Sequence, residues 1–199
     1  QSSSVVYLDP DIEVFSEFIP LNNLLKTKDI IITPHITKPI DDSFYPDENV
    51  FLNAGLYNLG FIAVKKTPNS ENMLEWWSKR LLTKGFNDVK NGMFTDQLWI
   101  NFVPIFYENV QILKDPGFNM AYWNLHERNL SINDSKYSVN DCPLVFYHYS
   151  GFNPLKPEVL SKHQNRTSLS NSAILNTLFT NYAQKLLNNK FKHYSAFDC

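Results

Sequence analysis

Two aspartates that follow an apolar run near the start of the chain have the spacing of metal ligands. Val5 to Leu8 is apolar, and Asp9 and Asp11 follow with Pro10 between them. In an extended segment, residues i and i+2 project to the same side, about 6–7 Å apart. Two such carboxylates repel each other unless a cation lies between them, and their oxygens suit Mg²⁺, Mn²⁺ or Ca²⁺. The pattern predicts a metal site at the exposed end of a buried strand, although these residues also suit an ordinary turn.

Two further segments place polar side chains beside apolar runs. Asn53-Ala54-Gly55 combines an amide that can bind sugar hydroxyls with small residues that leave room for a ligand, or else the amide satisfies backbone groups at a bulge. Asp96 and Gln97 fall in the expected first turn of a helix, where the helix dipole alone favours an acid. Gln97 has no such structural requirement, so this pair is a candidate binding site.

A third segment begins with His148 at the end of an apolar strand, and Gly151 and Lys156 follow it. An imidazole in this position can ligate a metal, although a structural role is the commoner one for an isolated histidine. Lys156 can oppose the charge of a phosphate, although a solvated lysine is the more usual case.

The composition of this chain of 199 residues excludes several classes of protein. Its net charge of −2 gives no basic surface, so we expect no binding to nucleic acid. Two cysteines, Cys142 and Cys199, do not make a disulfide scaffold. No apolar stretch reaches the roughly 20 residues of a transmembrane helix. We therefore predict a cytoplasmic protein, with any membrane association supplied by a longer polypeptide of which this chain is a fragment.

The elements that must position these residues alternate between strands and helices. One strand is predicted directly before Asp9, and others over 29–33, 110–113 and 143–147. Residues 50–66 are predicted to form two strands. A first helix is predicted to begin at Pro68, with Thr67 as its N-terminal cap. A second, short helix is capped by Thr95 and ended by Pro104, and a third covers 172–188. Residues 34–49 are expected to form a loop. This order predicts an α/β fold with a mixed sheet flanked by helices. We assign 1–157 to the functional part of the domain and 158–199 to a C-terminal helical extension of it.

In this order the polar segments resemble the motifs of GT-A glycosyltransferases, especially the glycogenin and lipopolysaccharide-galactosyltransferase type. Bacterial glycosyltransferases of this general kind are the most similar. That family carries an Asp-x-Asp motif, an Asn-Ala-Gly segment, an Asp-Gln segment and a C-terminal His-x-x-Gly-x-x-Lys-Pro. The matching residues here are Asp9-Pro10-Asp11, Asn53-Ala54-Gly55, Asp96-Gln97, His148 with Gly151, and Lys156-Pro157. The spacing from Gly151 to Lys156 is longer than in the family. The order of the motifs carries the resemblance, since none of them is specific alone.

The resemblance implies a metal-dependent sugar transfer used in polysaccharide biosynthesis. Mn²⁺ or Mg²⁺ would be held by Asp9, Asp11 and His148 and would bridge the diphosphate of a nucleotide sugar such as a UDP-sugar. Gly151 and Lys156 would lie at the same diphosphate. A glycan or a lipid-linked molecule would be the acceptor.

Further implied roles concern the donor sugar. Asn53 and Asp96 would bind its hydroxyls, with Ala54 and Gly55 leaving room for it, and Gln97 would lie near the anomeric carbon. Retention of the anomeric configuration is expected by the same analogy.

The family also builds its nucleotide-binding half from residues that precede Asp-x-Asp, so we expect this chain to lack that half. Loops at 34–49 and 114–142 are expected to shape the acceptor side, with Tyr122, Trp123 and Arg128 as candidates.

Two other functions remain open from the sequence. A haloacid-dehalogenase-type phosphatase also begins with a strand and Asp-x-Asp, in which one Asp is a nucleophile. Its motif normally continues with Thr or Val where this chain has Glu13. A non-catalytic carbohydrate-binding fragment is the third possibility, and it would need aromatic platforms but no metal-bound diphosphate.

Overall fold

The computed structural model describes residues 3–197, and its architecture is the mixed α/β fold that the sequence predicts. The strands are β1 Ser4–Leu8, β2 Ile12–Val14, β3 Ile30–Pro34, β4 Tyr57–Lys65, β5 Asn87–Asp88, β6 Met93–Phe94, β7 Val110–Ile112, β8 Leu130–Asn133, β9 Lys136–Val139, β10 Cys142–Pro143 and β11 Phe146–His148. The α-helices are α1 Ile19–Leu24, α2 Glu48–Ala54, α3 Pro68–Lys84, α4 Val103–Phe106, α5 Ala173–Asn188 and α6 Phe191–Tyr194. Short 3₁₀ helices cover Val89–Asn91, Gln97–Phe102, Tyr122–Asn124 and Leu169–Asn171. Among residues 3–197, no helix combines the length and apolar character needed to span a membrane.

The central sheet has four strands in the order β1-β4-β3-β7 and is mixed. β4 runs antiparallel to both β1 and β3, whereas β3 and β7 are parallel. The interior strand β3 begins with the apolar residues Ile30 to Ile32, all of them buried. A strand that is covered on both faces reads as such a continuous apolar run.

The prediction that the opening strand is buried is wrong. Among the described residues β1 pairs only with β4, so it forms an edge of the sheet. Val5 and Tyr7 remain 62% and 50% exposed. Its apolar sequence reflects the preference of β-branched and aromatic residues for a pleated strand rather than burial.

A smaller antiparallel pair, β2 with β11, brings distant residues to the end of β1. In this pairing Phe146 lies opposite Val14, and His148 lies opposite Ile12. The backbone N–H of His148 donates to the carbonyl oxygen of Met120 at 2.8 Å, which adds a third segment. The end of the C-terminal apolar strand is thereby fixed beside the turn that contains both aspartates.

Residues 50–66 contain one strand instead of the predicted two. The first part belongs to helix α2, whose N-terminus is capped by Asp47 through a hydrogen bond from Val50 N at 3.3 Å. Phe51 and Ala54 turn inward, one helical turn apart. Three-residue and four-residue spacings of this kind belong to a helix, and the cap before them decides between helix and strand.

The prediction that Thr95 caps a helix is also wrong. Thr95 has a φ of 45°, and the helix that follows is a 3₁₀ turn from Gln97 to Phe102 with no side-chain cap. Pro104 then lies in the first turn of α4, where its missing N–H has no intrahelical partner to lose. It therefore continues the helical segment instead of ending it.

The two longest helices begin where the sequence predicts. Thr67 accepts a hydrogen bond from Ser70 N in a capping box at the start of α3. Ser172 accepts one from Leu175 N at 3.3 Å at the start of α5. Side-chain oxygens satisfy N–H groups that have no partner within the helix, which makes Ser and Thr reliable start signals.

The C-terminal segment packs into the same core as the rest of the chain. Leu178 and Phe179 of α5 are buried against Tyr147 and Tyr149, which flank His148 in sequence. The ring of Tyr149 stacks on that of Tyr182 with 3.7 Å between centroids. The helix therefore supports the strand that carries the histidine.

Replacement of Phe146 should test how strongly β11 is anchored. The Phe146 side chain is 0% exposed and packs against Phe61 and Phe118. Phe146→Ala is expected to lower the free energy of unfolding by about 3–5 kcal/mol, because it removes buried area and leaves a cavity. Val14, its cross-strand partner, is 47% exposed. Val14→Ala should cost less than about 1 kcal/mol. Equal losses in urea denaturation would contradict the assignment of Phe146 to the core.

Candidate metal centre

Three side chains with metal-binding chemistry converge where β1 ends and β11 ends. The Nε2 atom of His148 lies 3.0 Å from Oδ1 of Asp11 and 3.7 Å from Oδ2 of Asp9. One ligand atom from each residue lies within 4.8 Å of the others. Adjacent ligands of one octahedral ion are about 3 Å apart, given metal–oxygen distances of about 2.1 Å. The three residues can therefore contact a single divalent ion, which makes the group a candidate metal centre.

Backbone hydrogen bonds aim the two aspartates at this point. Asp9 and Asp11 lie in a turn between β1 and β2, not in the continuous extended segment that the sequence suggested. The N–H of Asp9 donates to the carbonyl oxygen of Gly60 at 2.9 Å, and the N–H of Tyr149 donates to that of Asp11 at 2.9 Å. Asp9 is thus tied to β4, and Asp11 is tied to the residue that follows His148.

Tyr7 is a residue of this centre that sequence reasoning missed. Its hydroxyl donates to Oδ1 of Asp9 at 2.7 Å, which leaves Oδ2 directed at the imidazole. The hydrogen bond to Asp9, with burial and nearby negative charge, raises the pKa of Tyr7 to about 12, so the hydroxyl stays protonated. The sequence signal that points to Tyr7 is its spacing from Asp9, because residues two positions apart in a strand share a face.

The imidazole of His148 packs directly against the backbone of Gly60. A Cβ atom on Gly60 would lie 2.3 Å from Cε1 and 2.5 Å from Nδ1 of that ring. The Gly60 N–H donates to Oδ1 of Asn58 at 3.1 Å, and Asn119 Nδ2 donates to the same oxygen at 2.9 Å. The indole of Trp123 meets the imidazole edge to face, with 5.2 Å between centroids. Only glycine leaves room for the histidine here.

Electrostatics at the centre favour a cation. Burial raises the pKa of the Asp11 carboxyl, but the hydrogen bond and electrostatic attraction of His148 lower it by more, so the pKa lies below its ordinary value. Asp11 is therefore ionised at neutral pH. A second imidazole, that of His35, is buried nearby, and burial lowers its pKa to about 4, so it is neutral.

A cavity of about 790 Å³ opens beside the three candidate ligands. Its lining includes three carboxylates, those of Asp9, Asp11 and Asp96. Among the described residues that line it there is no lysine or arginine. A cavity with this charge attracts cations and repels free anions, so an anionic ligand would need a metal ion as a bridge.

Four residues of the central motifs line this cavity, as a sugar site would need. Asn53 and Ala54 come from the end of α2, and Asp96 and Gln97 come from the segment before α4. Gln97 Nε2 donates to the carbonyl oxygen of Ala54 at 2.9 Å, which joins the two segments. Asn53 Nδ2 donates to the carbonyl oxygen of Asn49 at 2.8 Å, so its amide oxygen is the atom left for a ligand.

Three predicted site residues lie outside the cavity lining. Gly55 ends α2 with a φ of 121°, and a Cβ there would contact the Gln97 backbone at 3.4 Å. Gly151 has a φ of 73°, and a Cβ there would lie 2.5 Å from Cδ2 of His163 and 2.7 Å from Oγ of Ser161. The side chain of Lys156 is exposed. Gly55 and Gly151 therefore set the backbone conformation next to the cavity.

Of the three acceptor candidates, Tyr122 and Trp123 line the cavity. Arg128 does not, because its guanidinium is buried and donates to the carbonyl oxygens of Pro116 and Phe118 at 2.6 Å each. Burial lowers the pKa of Arg128 to about 10. Its role is to hold the loop backbone in place.

Comparison with known proteins adds relatives but no described function. The chain is 30% identical over 156 residues to the uncharacterized protein YfnF of Bacillus subtilis strain 168. The matched region covers 74% of this chain and 49% of YfnF. It is 24% identical over 148 residues to the uncharacterized protein YfnD of the same strain. This matched region covers 73% of the chain and 46% of YfnD. The chain thus spans about half the length of the curated relatives it matches. No family model and no solved structure matches the chain.

Removal of one carboxylate tests the metal centre directly. Asp11→Asn should weaken Mn²⁺ binding at least about 10-fold, a loss typical even of outer-shell substitutions. Asp134→Asn is the matched control, because Asp134 is exposed and lies in a turn at a φ of 47° that Asn also tolerates. Mn²⁺ titration followed by electron paramagnetic resonance gives both affinities. An unchanged affinity in Asp11→Asn would exclude Asp11 as a ligand.

Substitution of Gly60 tests the packing of the His148 imidazole against the backbone of that residue. Gly60→Ala should displace His148 and reduce Mn²⁺ affinity at least about 10-fold. At Gly117 a Cβ would lie 2.1 Å from the carbonyl oxygen of Pro143, away from the centre, so Gly117→Ala should lower thermal stability but keep the affinity. Adding His148→Ala to Gly60→Ala should restore part of the lost stability, because the clash disappears. Wild-type affinity in Gly60→Ala would refute this contact.

Proposed function

We propose that this chain is the metal-binding, catalytic part of a GT-A-type glycosyltransferase that moves a sugar from a nucleotide-sugar donor to a glycan or lipid-linked acceptor. One observation carries the proposal: the Asp9, Asp11 and His148 ligand group lies at a cavity lined by the amides and acids of the other motifs. Four motifs separated in sequence resemble one family, and residues from all four come within one region of the fold.

The donor set fits a divalent ion of this kind. Carboxylate oxygens suit Mg²⁺ and Mn²⁺, and the imidazole of His148 favours a transition metal such as Mn²⁺. When bound, the ion would supply Lewis-acid stabilisation of charge that develops on the leaving diphosphate. No lysine or arginine is among the described cavity residues, so the metal is the source of positive charge that the proposal requires.

The chain's own residues would orient the sugar. In the transfer, the bond between the anomeric carbon and a diphosphate oxygen breaks, and a bond to an acceptor hydroxyl oxygen forms as that hydroxyl loses its proton. The amide oxygen of Asn53 and the carboxylate of Asp96 can accept hydrogen bonds from donor-sugar hydroxyls. Gln97, held by its bond to the Ala54 carbonyl, would lie at the reacting carbon. Retention of configuration remains part of the proposal.

The phosphatase alternative lacks comparable support. An aspartate nucleophile attacks a phosphoryl group whose negative charge must be neutralised. The three cavity carboxylates have no lysine partner among the described lining residues, and Tyr7 and His148 already engage Asp9.

We infer that recognition of the base and ribose belongs to the full-length protein. The relatives are about twice as long as the matched region, and β1 exposes Val5 and Tyr7 beside the metal centre. A cytoplasmic location is part of the same proposal. Cys142 is not in a disulfide, and Cys199 lies outside the described residues.

Donor binding by the full-length protein tests the function. UDP-glucose, UDP-galactose and UDP-N-acetylglucosamine should bind only with Mn²⁺ in isothermal titration, and slow release of UDP should follow with at least one of them. Asp11→Ala should abolish both signals, whereas Asp134→Asn should keep them. Metal-independent binding of glycans alone, or turnover of p-nitrophenyl phosphate that Asp11→Ala abolishes, would refute the transferase.

A further inference from the structure

Tyr45 is an exposed aromatic residue whose backbone is held by a distant segment of the chain. Its side chain is 52% exposed and lines the cavity. Its backbone N–H donates to Oδ1 of Asn165 at 2.6 Å, and its carbonyl oxygen accepts from Asn165 N at 3.0 Å. A segment more than a hundred residues away thus holds both backbone groups of Tyr45.

Arg166 fixes the residues on either side of Tyr45. Its guanidinium pairs with both carboxylate oxygens of Asp42, at 2.8 and 2.9 Å. Its Nη2 also donates to the carbonyl oxygens of Phe44 at 3.1 Å and Pro46 at 2.7 Å. The Arg166 side chain is only 7% exposed, so solvent screens this ion pair less than a surface pair. The backbone on both sides of Tyr45 is therefore held in place.

A line of rings connects this position with the metal centre. The Trp123 indole is 5.2 Å from the His148 imidazole and 5.0 Å from the Tyr122 ring, and Tyr122 is 6.1 Å from the ring of His163. Tyr45, Tyr122 and His163 all line the same cavity. We call Tyr45, Tyr122 and His163 the aromatic wall.

We propose that the aromatic wall is the subsite for a neutral saccharide ring, the acceptor of the transfer. This assignment rests on the proposed function for the role of the bound sugar. A sugar ring has an apolar C–H face, which packs on an aromatic ring, and a rim of hydroxyls, which pair with phenol and imidazole groups.

Charge and rigidity favour this class of ligand over others. An anionic acceptor would meet Asp9, Asp11 and Asp96 without any lysine or arginine among the described lining residues. A lipid tail would find polar groups along the same wall. Because the backbone of Tyr45 is already held in place, the residue loses less conformational entropy when it binds a ring than it would in a mobile loop.

Saccharide binding to the 199-residue chain tests the subsite. The probes are methyl α-glucopyranoside, methyl α-galactopyranoside, N-acetylglucosamine and maltotriose, observed by saturation-transfer NMR. Tyr45→Ala should weaken binding of the best probe at least about fivefold, since one aromatic contact contributes about 1 kcal/mol or more. Tyr45→Phe keeps the ring and should retain most of the affinity. Phe44→Ala is the matched control, because Phe44 is 48% exposed on the same loop but does not line the cavity.

The outcomes separate this subsite from the metal centre. Loss of binding in Tyr45→Ala alone, with Mn²⁺ affinity unchanged, supports the subsite. The subsite would be overturned if no probe showed a saturation-transfer signal, or if Tyr45→Ala and Phe44→Ala weakened binding equally. Tyr45-dependent binding of uridine monophosphate in place of sugars would also overturn it. Absent Mn²⁺ binding with intact Tyr45-dependent saccharide binding would instead refute the transferase and leave the wall as a carbohydrate site.

Discussion

Close packing of the His148 imidazole against the backbone of Gly60 is the contact on which the candidate metal centre depends. Gly60 lies in β4, an interior strand that β1 and β3 hold on both sides. Its carbonyl oxygen accepts from the N–H of Asp9, and its missing side chain leaves room for the histidine. One residue therefore positions two ligands, and the pairing of β2 with β11 brings the third, Asp11, to the same point.

The charge of the cavity follows from this arrangement. Three carboxylates gather there, the nearby His35 is neutral through burial, and the described lining contributes no lysine or arginine. Like charges in a partly buried space repel, so a cavity built in this way favours a cation. The same feature argues for neutral ligands along the aromatic wall, and it gives the two ends of the cavity different chemistry.

Much of the local structure could be predicted from the sequence. Caps at Thr67 and Ser172 and the apolar runs of β3 and β11 are local signals, set by hydrogen bonding and periodicity within a few residues. Errors arose where tertiary context decides. Helix α2 was predicted as a strand because its apolar residues fit both periods, and β1 was predicted as buried because an edge strand and an interior strand share a composition.

The sequence by itself determined which chemistry is available: Asp9, Asp11 and His148 as candidate metal ligands, and Asn53, Asp96 and Gln97 as polar groups in a set order. Only the tertiary structure decided which of them meet. Lys156 is exposed while Tyr45 joins the site, because contacts between residues a hundred or more positions apart depend on strand register and packing. Spacing along the chain carries no information about such distances.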